Sequence, residues 1–247
     1  MPLLDHFRPP VSQLVKWESL HSAWATHIAE AINDRLTPPW RAEPGATFGI
    51  EVDIAGIERQ LPEVPAGFPP PRRYEPAAPT ATLELPVLTD EVTVRIFSGP
   101  GGWELVGAVE LISPANKDRP GSRDAFTAKC EAYLSRGIGV CIVDVVSPPR
   151  VSLHDDLIDR LGREGEIRSG SLYASAFRPV ARHGSSLLDI WLEGLQIGSP
   201  LPSLPLFLRD GPCIEVPLEA AYTEAREGLK LDRDLALLEQ ARQRNPA

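Results

Sequence analysis

Residues 109–134 read VELISPANKDRPGSRDAFTAKCEAYL, and the fold turns on them. Val109 to Ile112 has strand character. The run breaks at Ser113-Pro114, and a helix over Ser122–Ser135 follows Pro120, since proline is tolerated only near a helix start. Two charges sit where apolar residues belong: Glu110 in the strand, and Lys129 between Phe126 and Tyr133. With Ser122, Phe126 and Tyr133, Lys129 forms one stripe at three-and-four spacing. A lysine so placed either lays its stem on the core with its ammonium outward or reaches over the sheet edge to Glu110. Tyr133 is either core or a source of a hydroxyl. The SPANK turn reads as a loop that fixes the chain direction, with Lys117 exposed.

Working outward, IGVCIVDVV (138–146) is a continuous apolar run and reads as a buried central strand ending near Asp144. A carboxylate at the end of such a strand either pairs locally or faces a site. Upstream, EVTVRIF and WELVGAVELI flank SGPGG and read as a hairpin. With Gly99–Gly102 as the loop, Glu91 falls opposite Glu110, while Val92, Val94, Ile96, Leu105, Val109 and Leu111 form the core face. Opposed carboxylates repel. Either a solvated strand end screens them, or a divalent cation holds them. Asp90 replaces Glu91 if a bulge intervenes.

Leu20, Trp24, Ile28, Ile32 and Leu36 give a helix over Trp17–Leu36. TFGIEVDIA alternates, with Glu51 and Asp53 on the polar face of a half-buried strand. These two acids extend the acidic site if that strand adjoins the hairpin. The proline-rich stretch 61–86 reads as a loop insertion. LHDDLIDRL is a short helix, with His154 at its start. A second, peripheral hairpin turns at His183-Gly184, and SPLPSLPLFL leads into a closing helix over Leu218–Leu229. The charged tail from Lys230 is a helix extension or frayed. The whole, 1–247, reads as one α/β domain: a mixed sheet flanked by helices, with a C-terminal hairpin and helix.

Bulk composition narrows the function. Hydrophobic content of 43% and charged content of 24% suit a globular core. No apolar run is long enough to span a membrane, and no secretory signal is read at the start. Cys130, Cys141 and Cys213 are odd in number and widely spaced, which suits buried thiols in a reducing cytoplasm. The net charge of −9 disfavours broad adhesion to nucleic acid, yet cation-binding carboxylates themselves add negative charge. No nucleophile elbow, phosphate-binding glycine loop or zinc spacing is present.

The segment VELISPANKDRPGSRDAFTAKCEAYLSRGIGVCIVDVV resembles a family of bacterial domains of unknown function. Its hallmark is a strand ending in SPANK, a helix with K…Y and a strand ending in Asp. LLDHFRPP near the start and LPLFL…PLEAAYTEA near the end extend the likeness. That family is distantly similar to restriction-endonuclease-like proteins of the PD-(D/E)XK superfamily. The resemblance implies a core of helix, three strands, helix, strand, and Mg²⁺- or Mn²⁺-dependent hydrolysis of DNA or RNA. Glu110 is then the third-strand acid, Glu91 or Asp90 the first acid, and Lys129 the catalytic lysine, with Lys117 as the other candidate. Two departures stand out. Ile112 occupies the usual lysine position, and Thr93 stands where related chains carry an acid. The alternative is a catalytically silent module of the same fold that binds a protein partner or small ligand. Self-association into a homo-oligomer is left open.

Overall fold

The structure is a computed structural model that describes residues 2–45, 54–59, 74–84 and 103–244. Helix α1 (Val11–Leu14) precedes α2 (Trp17–Asn33). Leu20, Trp24, Ile28 and Ile32 of α2 form one buried stripe, as a helical period requires. The helix ends three residues before the expected Leu36 because the Asn33 amide turns to the next strand. Its Nδ2 donates to the Ala42 carbonyl (2.9 Å), and its Oδ1 accepts from the Ala42 N–H (2.8 Å).

Strands β1 (Trp40–Pro44), β2 (Ile54–Arg59), β3 (Ala81–Glu84) and β4 (Trp103–Leu111) follow. A single turn, α3 (Pro114–Lys117), leads into α4 (Pro120–Ser135) and β5 (Gly139–Asp144). Then come α5 (Leu153–Arg160), the hairpin β6 (Tyr173–Arg182) and β7 (Ser185–Gly194), and the hairpin β8 (Ser203–Phe207) and β9 (Cys213–Pro217). Helices α6 (Leu218–Gly228) and α7 (Leu231–Arg244) close the described chain. Seven strands form one mixed sheet in the order β1-β2-β4-β5-β6-β7-β3, in which β4 and β5 are parallel and the other neighbours antiparallel. β8 and β9 make a separate small sheet.

This topology corrects several expectations. The register that pairs 92–94 with 107–109 is not adopted. At Gly107, Ala108 and Val109 one edge of β4 is taken by β2 and the other by β5, and a strand has only two hydrogen-bonding edges. The hairpin at His183-Gly184 forms as expected, with φ of 52° and 81° at its two turn residues, the left-handed pair a tight hairpin demands. It is not peripheral, however, because β6 pairs with β5 in the body of the sheet. Ala81–Glu84, inside the expected proline-rich loop, is an edge strand on β7. Thr82 Oγ1 donates to Asp189 Oδ1 (2.7 Å) and the Trp191 indole to the Ala77 carbonyl (3.0 Å). The prolines of 199–208 do not prevent β8 from forming, since that strand pairs on one side only. The charged tail is α7, set off from α6 by Lys230 at φ 58°.

Alternation divides the main sheet into two covered faces. Glu110, Val140, Ile142, Asp144, Tyr173, Ser175 and Phe177 share the face on which α4 packs against β5 and β6, with α5 beside it. The opposite face meets β8, which packs on β4, β5 and β6, and α2 packs against α6, β1 and β9. Two glycines permit this approach. A Cβ at Gly139 would stand 2.2 Å from the Phe207 carbonyl oxygen, and one at Gly107 would stand 2.7 Å from Leu208 Cδ2.

The obstacle at Gly139 is backbone, whereas at Gly107 it is the far end of a flexible side chain. Gly139→Ala is therefore expected to destabilise by roughly 2–3 kcal/mol and Gly107→Ala by clearly less. Paired urea melts check this; equal losses would contradict the described packing of β8 on β5.

Candidate functional site

Glu110 is the next-to-last residue of β4, opposite Ile142 of the parallel strand β5. The crossover chain returns as α4 over the same face and brings Lys129 above it. The Lys129 ammonium lies 2.8 Å from Glu110 Oε2 and 5.2 Å from the centre of the Phe126 ring one turn earlier. Of the two readings of Lys129, the reach to Glu110 is the one adopted: its stem follows the apolar stripe, but its charge ends on the acid rather than in solvent. The side chains are 12% exposed for Lys129 and 2% for Glu110. Tyr133, on the same stripe, is buried in the core. Cys130 is enclosed beside the pair, and its burial, with the Glu110 charge, drives the thiol far above the ordinary range. From α2, the His21 Nε2–H donates to the Leu111 carbonyl at 2.9 Å, which ties the strand end to the opposite layer.

The SPANK segment overturns two expectations. It forms a helical turn in which the Ser113 N–H and hydroxyl both donate to Asn116 Oδ1, each at 2.8 Å. The loop polar groups thus satisfy each other. Lys117 is not exposed. The turn points it inward, where its ammonium donates to Asp144 Oδ2 (2.8 Å) and to the Val146 carbonyl (3.0 Å). The Val146 N–H donates to Asp144 Oδ1 at 3.0 Å. Both side chains of this pair are fully enclosed. Desolvation raises the Asp144 carboxyl to about 6, and the Lys117 charge and hydrogen bond oppose that rise. Lys117 and Asp144 accordingly belong to a closed structural pair rather than to the Glu110 site. A Ser-x-x-Asn spacing after a strand was the available signal for a capped turn.

Glu91, Asp90, Thr93, Glu51 and Asp53 lie outside the described residues. Toward the carboxyl end of β4, the last described β2–β4 pair is Ile54 with Val109. Among the described residues, no three His, Cys, Asp or Glu side chains gather as a metal-binding group.

His154 follows Leu153 in the first turn of α5 and is fully buried, 5.7 Å from the Tyr173 ring centre and 5.4 Å from that of Phe177. Tyr173 OH accepts from the His154 backbone N–H at 2.9 Å. Both ring nitrogens are buried without a partner among the described residues. Burial, reinforced by Arg168 and opposed by Asp155, lowers its pKa to about 4. His154 is a core histidine, not a ligand.

No protein-family model, curated protein or solved structure matches the chain.

Two stability predictions follow from these buried charges. Lys117→Met leaves Asp144 uncompensated and is expected to destabilise by about 3–5 kcal/mol, while adding Asp144→Leu restores a substantial part; urea melts of the three variants test the pairing, and no restoration in the double variant would count against it. The second concerns pH. A histidine at about 4 in the fold and near 6.5 unfolded gives stability that is full above pH 6.5 and is lost as pH falls toward 4, by roughly 3 kcal/mol. His6, also lowered to about 4 by burial, acts in the same sense, whereas Asp144, raised to about 6, acts in the opposite one. His154→Phe should flatten the decline between pH 6.5 and 4; an unchanged slope would show that His154 does not contribute to it.

Proposed function

We propose that this chain is a metal-dependent phosphodiesterase built on a PD-(D/E)XK-like core. One observation carries the reading: an ammonium from the crossover helix sits 2.8 Å from an acid at the carboxyl end of β4. The element order supports it. With β3, which pairs at the far edge on β7, and the single turn α3 set aside, α2, β1, β2, β4, α4 and β5 run helix, three strands, helix, strand, and β1-β2-β4-β5 are consecutive neighbours in the sheet.

A hard divalent cation fits the donor chemistry. Mg²⁺ takes one or two carboxylates and leaves its other positions to water and substrate phosphate, and Glu110 is a carboxylate already kept near a positive charge. Glu91, Asp90 and Asp53, the candidates for the second acid, all lie outside the described residues. Bound at Glu110, the cation would polarise the phosphoryl oxygen and lower the pKa of a water. In the resting state Lys129 neutralises Glu110. When a phosphodiester arrives, the ammonium shifts its donors to a non-bridging oxygen and to the attacking water, where negative charge develops. Phe126 holds the lysine stem, so the charge moves only over a short arc.

A catalytically silent module is the second reading. It is favoured by how little of Glu110 is exposed and by the net charge of −9. Cleavage of labelled DNA and RNA with Mg²⁺ or Mn²⁺ separates the two. Glu110→Gln and Lys129→Met are each expected to lower the rate about 10²- to 10³-fold, with folding checked by thermal melts. Absence of cleavage on both substrates, together with no Mg²⁺-induced rise in melting temperature, would sink the hydrolase reading.

A further inference from the structure

A groove lies at the other end of the strands from Glu110, on the β8–β9 side of the sheet. Trp40, Tyr74, Phe207 and Arg178 line a cavity of about 580 Å³, with Glu75 and Asp210 also on its wall. A second cavity of about 330 Å³ continues it past Gly137 and Arg209, sharing Arg178, Phe207, Asp210 and Gly211 with the first. Their combined size is that of a small-molecule site.

The walls carry specific chemistry. The Arg178 guanidinium lies 4.3 Å from the Phe207 ring centre, and Phe207 in turn stacks on Trp191 with ring centres 5.1 Å apart. Among the described residues Arg178 has this ring but no carboxylate partner. Arg209, by contrast, is engaged by Glu104 and Asp210. An arginine fixed on an aromatic face keeps its donor fork free for a planar or tetrahedral anion. Trp40 and Tyr74 add ring surface for a flat partner. Glu75 and Asp210 are exposed acceptors, suited to N–H groups on that partner's edge. Gly211 keeps the floor open: a Cβ there would stand 2.9 Å from Leu208 Cβ and 3.2 Å from Trp40 Nε1.

From this arrangement we infer that the groove is a mononucleotide-binding site, with the phosphate on Arg178, the base on the Trp40 and Tyr74 rings, and base N–H groups on Glu75 or Asp210. The acidic wall excludes a polyanion, and the rings exclude bare phosphate as the best ligand. The inference rests on this groove alone and not on the hydrolase reading.

Trp40 supplies the reporter. Titration of the intact chain with adenosine 5′-monophosphate to about 5 mM, a range that reaches millimolar Kd values, should quench tryptophan fluorescence saturably and raise the melting temperature. Adenosine should bind about ten-fold more weakly, and inorganic phosphate should not quench. Arg178→Gln should bring the monophosphate down to adenosine's affinity while leaving adenosine unchanged. Tyr74→Ser should weaken both. Glu110→Gln should alter neither, which separates this groove from the site at the end of β4. No saturable response to the monophosphate, equal binding of adenosine and monophosphate, or an Arg178→Gln variant that binds like the parent would each overturn the assignment.

Discussion

A carboxylate in a strand that is paired on both edges and covered on the face it points from must bring its own counter-charge. Glu110 is in that position. Isolated ionised groups are strongly disfavoured away from water and are tolerated when paired and hydrogen-bonded. The fold supplies the cation from the connection that also makes β4 and β5 parallel. Any helix crossing over this face passes above Glu110, and the stripe of α4 places Lys129 where the strand ends. Phe126 before it and Tyr133 after it bury the helix, so the lysine is held by packing on both sides.

The same connection carries a second lysine, and the contrast between the two is informative. The α3 turn sends Lys117 to Asp144 at the end of β5, where the ammonium has two acceptors and the other carboxylate oxygen a backbone donor. That closed set locks the loop after β4 onto the loop after β5. It fixes the direction in which α4 begins, and therefore the height at which Lys129 meets Glu110. Replacing such a pair with apolar groups can be neutral in energy, so its value lies in specifying one arrangement of the turn.

Much of this was legible from local pattern. The three-and-four stripe gave α2, the apolar run gave β5, and the αL-tolerant His183-Gly184 gave the β6–β7 turn. Lys129 over Glu110 was one of two readings that spacing alone allowed. What could not be read was long-range. The proximity of EVTVRIF to WELVGAVELI suggested a hairpin, yet β2 holds that edge of β4, and a strand partner forty-four residues away at one end (Arg59↔Trp103) and fifty-five at the other (Ile54↔Val109) leaves no local mark. Trp40–Pro44 and Ala81–Glu84 are short edge strands flanked by prolines, whose sequence pattern is that of a loop. Lys117 misled for a related reason: a charged residue in a turn is exposed unless a distant carboxylate claims it, and Asp144 lies twenty-seven residues on.

The difference in enclosure decides which lysine the proposed chemistry can draw on. Lys117 has no contact with solvent, so any substrate would have to displace Asp144 and leave it charged in the core, a loss of several kcal/mol before binding begins. Lys129 retains a partly open side chain. Under the proposed hydrolysis, exchanging Glu110 for an incoming phosphate would keep its ammonium paired throughout, and a cation at Glu110 would keep the acid paired as well. Such an exchange would conserve charge pairing on both sides, which is the condition an electrostatic catalyst must meet if its resting state is to be stable and its working state accessible.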